Sequence, residues 1–135
     1  MVECRLRIPP SPVFHYAVKR LRMLYPEDPI AWRGDGERII WKAVSSAQWA
    51  FHYSNGECLE RIIAASAALF YEIVSLHPLL DGNKRLATLT LWATLKANGI
   101  EPPENIACAA LKAAAGEWGL HEIRAWLART ILPGT

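Results

Sequence analysis

The sequence predicts an all-α fold, and three observations carry that prediction. Apolar residues recur at three- and four-residue spacing through most of the chain. Proline and glycine fall between the periodic stretches rather than inside them, and no stretch sustains the two-residue alternation of a half-buried strand. The length of 135 residues suits one domain, so residues 1–135 are read as a single unit around a single core. Hydrophobic residues make up 52% of the chain, enough to fill that core without help from disulfides or metal, which excludes a disordered chain.

The elements follow from local signals. Ser11 offers a capping hydroxyl and Pro12 is favoured at a first helical position, so a helix is predicted over residues 13–24, closed by the turn at Pro26 and Pro29. Cys4 to Ile8 allows a short extended segment before it. Residues 37–53 place Ile40, Val44, Ala47 and Phe51 on one face, and Asn55 with Gly56 supplies the stop. Residues 57–76 repeat the pattern more densely, with Leu59, Ile62, Ile63, Ala67, Phe70 and Val74, as expected of a helix buried on most sides. A helix over residues 84–98 ends at Gly99, and Pro102 and Pro103 reset the direction. Two shorter helices, residues 104–115 and 120–131, flank a break at Gly116 to Gly119.

Several function classes drop out at this stage. The run from Ile62 to Leu80 is interrupted by Glu72, His77 and Pro78, so no segment reaches the roughly 20 apolar residues a bilayer crossing needs. No secretory pattern is visible at the start, and three cysteines about fifty positions apart suit reduced thiols in a cytoplasmic protein. Net charge is +2, and Lys19, Arg20 and Arg22 read as a solvated helix face, so neither nucleic acid nor membrane is an expected partner. His15, His52 and His121 lack ligand spacing, and Ser45 and Ser46 do not form a nucleophile elbow. Trp41, Trp49 and Trp92 sit at helical positions and are expected to line core or groove.

Chemistry concentrates between the two most apolar helices, in His77, Pro78, Leu79, Leu80, Asp81, Gly82, Asn83, Lys84 and Arg85. Pro78 disfavours helical geometry at His77, so the imidazole is expected at a loop entrance. Burying Leu79 or Leu80 would anchor the loop by about 1.5 to 3 kcal/mol. The next helix opens with Gly82, Asn83, Lys84 and Arg85, where free backbone amides and the positive end of the dipole favour an anion. Two cations at that end are unfavourable by about 0.3 to 1 kcal/mol each unless something negative neutralises them, and a phosphate would do so. Asp81 offers a hard oxygen for Mg2+ bridging phosphates; its plainer role is an N-cap paired with Arg85.

The string HPLLDGNKR resembles the signature His-Pro-Phe-x-(Asp/Glu)-Gly-Asn-(Gly/Lys)-Arg of the Fic/Doc family, and its lysine resembles the Doc (death-on-curing) branch of toxin proteins. The resemblance covers most of residues 37–132 and is carried by the motif. It implies a Fic-type helical bundle in which His77 is the general base, Asp81 holds Mg2+, and Gly82, Asn83, Lys84 and Arg85 hold the nucleotide. With Lys84 in place of a second glycine, ATP is implied to bind reversed and give up its γ-phosphate. The implied protein is a toxin that phosphorylates a hydroxyl of a target resembling a translation elongation factor. Transfer of AMP through the same motif, and a binding module without turnover, are the alternatives.

Three departures from the family pattern bear on these expectations. Leu79 replaces the usual phenylalanine, which makes a smaller anchor. Thr88 stands where AMP-transferring members carry a second arginine. The self-inhibitory pattern (Ser/Thr)-x-x-x-Glu-(Gly/Asn) is missing, because Ile100 holds the hydroxyl position before Glu104. An inhibitor on another chain, an antitoxin that docks over the nucleotide cleft, is therefore expected.

Overall fold

The structure is a computed structural model and describes residues 3–132. It contains the helices α1 (Ser11–Leu24), α2 (Gly36–Tyr53), α3 (Cys58–Leu76), α4 (Asn83–Ala97), α5 (Ile106–Ala114) and α6 (Leu120–Ile131). Each coincides with a predicted helix to within one or two residues, because proline and glycine punctuate the chain where its apolar periodicity stops. Among the described residues there is no strand, so the all-α class is correct. No helix is long and apolar enough to cross a membrane.

Helix α3 is the axis of the bundle. From Ile62 to Phe70 every residue is buried, with Ile73 and Val74 following, and α2, α4, α5 and α6 all pack against it. Its small residues (Ala64, Ala65, Ser66, Ala67 and Ala68) let neighbours approach, while Ile63, Leu69, Phe70 and Ile73 fill the space between them. Leu86, Leu91 and Leu95 of α4 and Ile123 and Leu127 of α6 complete the core. The start of α3 is closed by the Glu57 backbone N–H donating to Glu60 Oε1 at 3.1 Å.

The N-terminal arm is not a strand. It is tied to the end of α4 by Asn98, whose Oδ1 accepts from Arg7 N–H at 2.9 Å and whose Nδ2 donates to the Arg7 carbonyl at 2.8 Å. A disulfide between Cys4 and Cys58 adds a second tie, across a sequence separation of 54. This corrects the expectation of reduced thiols. Widely spaced cysteines conceal a pair that only the return of the arm to the start of α3 brings together, and the thiol argument for a cytoplasmic location falls with it. Cys108 alone is free.

One other local expectation changes, and another is narrowed from core or groove to groove. Pro10, not Ser11, occupies the cap position of α1, and no side chain caps that end. Trp41 and Trp49 on α2 and Trp92 on α4 stay out of the core and are exposed, lining surface grooves. Helical spacing establishes that residues share a face and leaves open whether that face is covered.

The segment between α1 and α2 is the part of the fold that matters most for the motif. It runs antiparallel to the loop between α3 and α4 and makes an isolated bridge between Trp32 and Leu79. Arg33 N–H donates to the Pro78 carbonyl and Leu80 N–H to the Ala31 carbonyl, each at 2.9 Å. Gly36 makes this approach possible: a Cβ there would lie 2.4 Å from the Pro78 oxygen and 2.8 Å from the Trp32 ring.

Candidate active site

Helix α3 ends at His77, whose φ of 53° and ψ of 71° place it in the left-handed region. The helical geometry is indeed abandoned there, as Pro78 requires. The end is capped from outside the helix: Arg33 Nη1 donates to the His77 carbonyl at 3.0 Å and to the Leu76 carbonyl at 3.3 Å. A cation at a helix C-terminus also opposes the negative end of its dipole. The His77 side chain is exposed, and its imidazole makes no hydrogen bond among the described residues.

After His77 the loop is pinned at one residue. Leu79 is only 1% exposed, whereas Leu80 is 66% exposed, so Leu79 alone supplies the expected anchor. Asn83 fixes the same residue through its backbone. Its Oδ1 accepts from Leu79 N–H and its Nδ2 donates to the Leu79 carbonyl, both at 2.9 Å. Both polar atoms of that carboxamide bond to the loop, and the Asn83 side chain is a staple within the protein. The second Nδ2–H and the backbone N–H of Asn83 remain for an anion. The smaller Leu79 is thus held by hydrogen bonds as well as by burial.

Helix α4 opens at Gly82, with φ 90° and ψ 12°, a left-handed cap that glycine adopts without steric cost. A side chain at Gly82 would also meet Ile30, 3.2 Å from its Cγ1. The first turn closes with Leu86 N–H donating to the Gly82 carbonyl at 2.9 Å, so the amides of Asn83, Lys84 and Arg85 precede the helical ladder. Asp81 is not the cap residue. Its Oδ1 accepts from Gly82 N–H at 2.8 Å, which leaves the other carboxylate oxygen at the exposed mouth of the site.

These groups border one cleft of about 340 Å³, lined by His77, Asp81, Gly82, Asn83, Lys84, Arg85 and Asp28 among others. The sequence-predicted residues thus come together around the N-terminus of α4. Asp28 was not anticipated. Its Oδ2 accepts from Arg85 Nη1 at 2.7 Å, and Tyr25 lies under the same guanidinium, with Arg85 Cζ 3.6 Å from the ring centroid. The hydrogen bond that Arg85 donates to Asp28 is the main cause that raises the Arg85 pKa above its ordinary value, with Tyr25 and Asp81 adding to it against partial desolvation. The plainer expectation, an Asp81 to Arg85 pair, is replaced by this longer-range one. The only sequence signal for Asp28 was an acidic residue between Pro26 and Pro29, which reads as a turn.

Among the described residues no group of three or more His, Cys, Asp or Glu side chains could hold a metal ion. A single carboxylate fits Mg2+ all the same, because that ion keeps several waters and takes its remaining ligands from phosphates. The donor set therefore suits Mg2+ arriving with a nucleotide rather than a resident metal. Thr88, one turn into α4, donates its hydroxyl to the Lys84 carbonyl at 2.8 Å and adds no positive charge.

No curated protein matches the chain. Residues 39–95, which run from within α2 through α3 and the whole motif to the last turn of α4, match the family model described as Fic/DOC family. That match supports the Fic/Doc family for this helical core, without separating the Doc branch from the others.

Proposed function

We propose that this chain is a Fic-type transferase that moves the γ-phosphoryl group of ATP to a hydroxyl of a target protein. The observation that carries the reading is the convergence of His77, Asp81, Lys84 and Arg85 on one cleft at the start of α4. Phosphoryl transfer needs charge neutralisation and alignment more than covalent participation by the enzyme. Here the free amides of the helix end, Lys84 and Arg85 provide positive potential for a triphosphate.

In this mechanism the target hydroxyl oxygen bonds to the γ-phosphorus while the bond from that phosphorus to the β–γ bridging oxygen breaks, and ADP leaves. The hydroxyl proton passes to the His77 imidazole, which has no competing hydrogen-bond partner among the described residues. Asp81 would hold Mg2+, which when bound supplies charge neutralisation across the phosphates. The Asn83 side chain serves the site indirectly, by fixing the loop that carries His77 and Asp81.

Phosphoryl transfer is favoured over AMP transfer because Thr88 offers a self-satisfied hydroxyl where a second arginine would be needed. The partner implied by the absence of a self-inhibitory pattern is an antitoxin in trans. An apolar trench supports it: two adjoining cavities of about 400 and 300 Å³ run along α1 and α4, share Leu21, Leu24 and Leu89, and reach the cleft at Lys84 and Arg85. The target class implied by the Doc resemblance is a translation elongation factor.

Incubation of the chain with host lysate and ATP labelled at the γ or the α position tests the reading. Label on a protein from γ-ATP alone is the expected result. Label from α-ATP would instead establish AMP transfer, and label from neither would leave a binding module. For the cleft itself, ATP with Mg2+ is expected to raise the melting temperature by binding the folded state. The double substitution Lys84→Glu, Arg85→Glu should abolish that shift, as measured by thermal denaturation with and without nucleotide.

A further inference from the structure

The turn that carries Tyr25 and Asp28 is built in a way that a plain connection would not require. Arg22 Nε donates to the Ile30 carbonyl at 2.7 Å, Ile30 N–H to the Asp28 carbonyl at 2.8 Å, and Asp28 N–H to the Tyr25 carbonyl at 3.1 Å. Ile30 is buried, and its side chain lies against Gly82 at the first turn of α4. The turn is therefore fixed to the same helix end that forms the phosphate site, and it delivers one carboxylate and one aromatic ring to the motif arginine.

Arg85 is held on two sides: Asp28 accepts from Nη1 and Tyr25 covers a face of the guanidinium. A guanidinium carries five N–H donors in a planar fork, so most of them remain after this pairing. We infer that Asp28 and Tyr25 are positioning residues that latch Arg85 at the cleft so that its unused donors meet the transferred phosphoryl group without the arginine first having to be ordered. The inference rests on the transferase reading above.

The latch has opposing effects on binding and turnover. A flexible arginine must lose rotamer freedom each time it engages phosphate, and a latched one has already lost it, which helps the step in which alignment matters. The Asp28 carboxylate, however, lines the same cleft and repels a polyanion, so it cannot strengthen ground-state binding. A residue that merely supported the fold would move both quantities together with stability.

The experiment is steady-state phosphoryl transfer and thermal denaturation on the wild type, Asp28→Ala, Asp28→Glu and Tyr25→Leu, with nitrogen NMR of the Arg85 guanidinium on the same proteins. Asp28→Ala is expected to lower kcat by about tenfold or more while the KM for ATP stays level or falls. Asp28→Glu should restore part of kcat, and Tyr25→Leu should lower it to a lesser degree. In the NMR spectra, rotation about the Arg85 Nε–Cζ bond should be slow in the wild type and averaged in Asp28→Ala, whether or not nucleotide is present. Unchanged kcat in Asp28→Ala overturns the proposal, as does a fall in kcat that tracks KM and melting temperature, or equal averaging in both proteins. A wild type that neither binds nor consumes ATP is a different result: it overturns the transferase reading itself, even where the NMR still shows Arg85 held.

Discussion

Replacing His77 by alanine is expected to cut transfer from γ-labelled ATP to the target protein by about 10²- to 10⁴-fold, the usual range for losing a general acid or base. Nucleotide binding should survive the change, because the proposed triphosphate site draws on the first turn of α4 and not on the imidazole. The side chain is exposed and bonds to no described residue, so its removal leaves no buried group unpaired. One complication is the backbone, since His77 sits at φ 53°, where alanine is less at ease. His77→Asn removes that complication. Asparagine tolerates left-handed geometry better than most residues, yet it cannot accept a proton at neutral pH. Both variants should keep the rise in melting temperature that ATP with Mg2+ produces, and both should lose transfer. Full transfer by the asparagine variant would remove His77 from the mechanism.

The residues whose placement was legible in the sequence are those whose signal is local. The imidazole at a helix exit follows from Pro78, and the cluster of free amides and cations at the start of α4 follows from Gly82, Lys84 and Arg85. Six helices could be placed because the apolar repeat and its proline and glycine stops lie within a few residues of each other. The illegible features are pairings across long stretches of chain. Arg85 and Asp28 are 57 positions apart, Arg33 reaches a helix end 43 and 44 positions away, and Cys4 meets Cys58. Each depends on how the segment before α2 folds back over the motif, and no local pattern encodes that path.

Asn83 shows a different limit: its place at the helix start was legible, and the contact its side chain makes with Leu79 was not. The family resemblance implies a phosphate ligand at Asn83, and here both of its polar atoms also hold Leu79. Composition and spacing cannot distinguish a donor aimed at a ligand from one aimed four residues back along its own loop. The same arrangement recurs at Asn98, which grips both backbone groups of Arg7 and ties the N-terminal arm to α4. Two asparagines thus fasten irregular chain to the same helix, one at each end.

That assignment makes a prediction opposite to the one a phosphate ligand would make. Asn83→Ala leaves the N–H and carbonyl of Leu79 without side-chain partners in a part-buried setting, which should cost about 2 to 4 kcal/mol. In a domain of this size that corresponds to a fall in melting temperature of roughly 5 to 15 °C, read by thermal denaturation without nucleotide. Asn83→Asp is the sharper variant. It keeps an acceptor for the Leu79 N–H but sets a carboxylate oxygen against the Leu79 carbonyl, so it should be no more stable than the alanine variant. A direct phosphate ligand would behave otherwise: stability without nucleotide would be unchanged, and the loss would appear only as weaker ATP binding. Because the staple orders the loop carrying His77 and Asp81, its removal should also depress transfer, even in folded protein well below the new melting temperature. Asn83 variants with wild-type melting and impaired nucleotide affinity would return the residue to the ligand set and leave Leu79 held by burial and by the bridge to Trp32 alone.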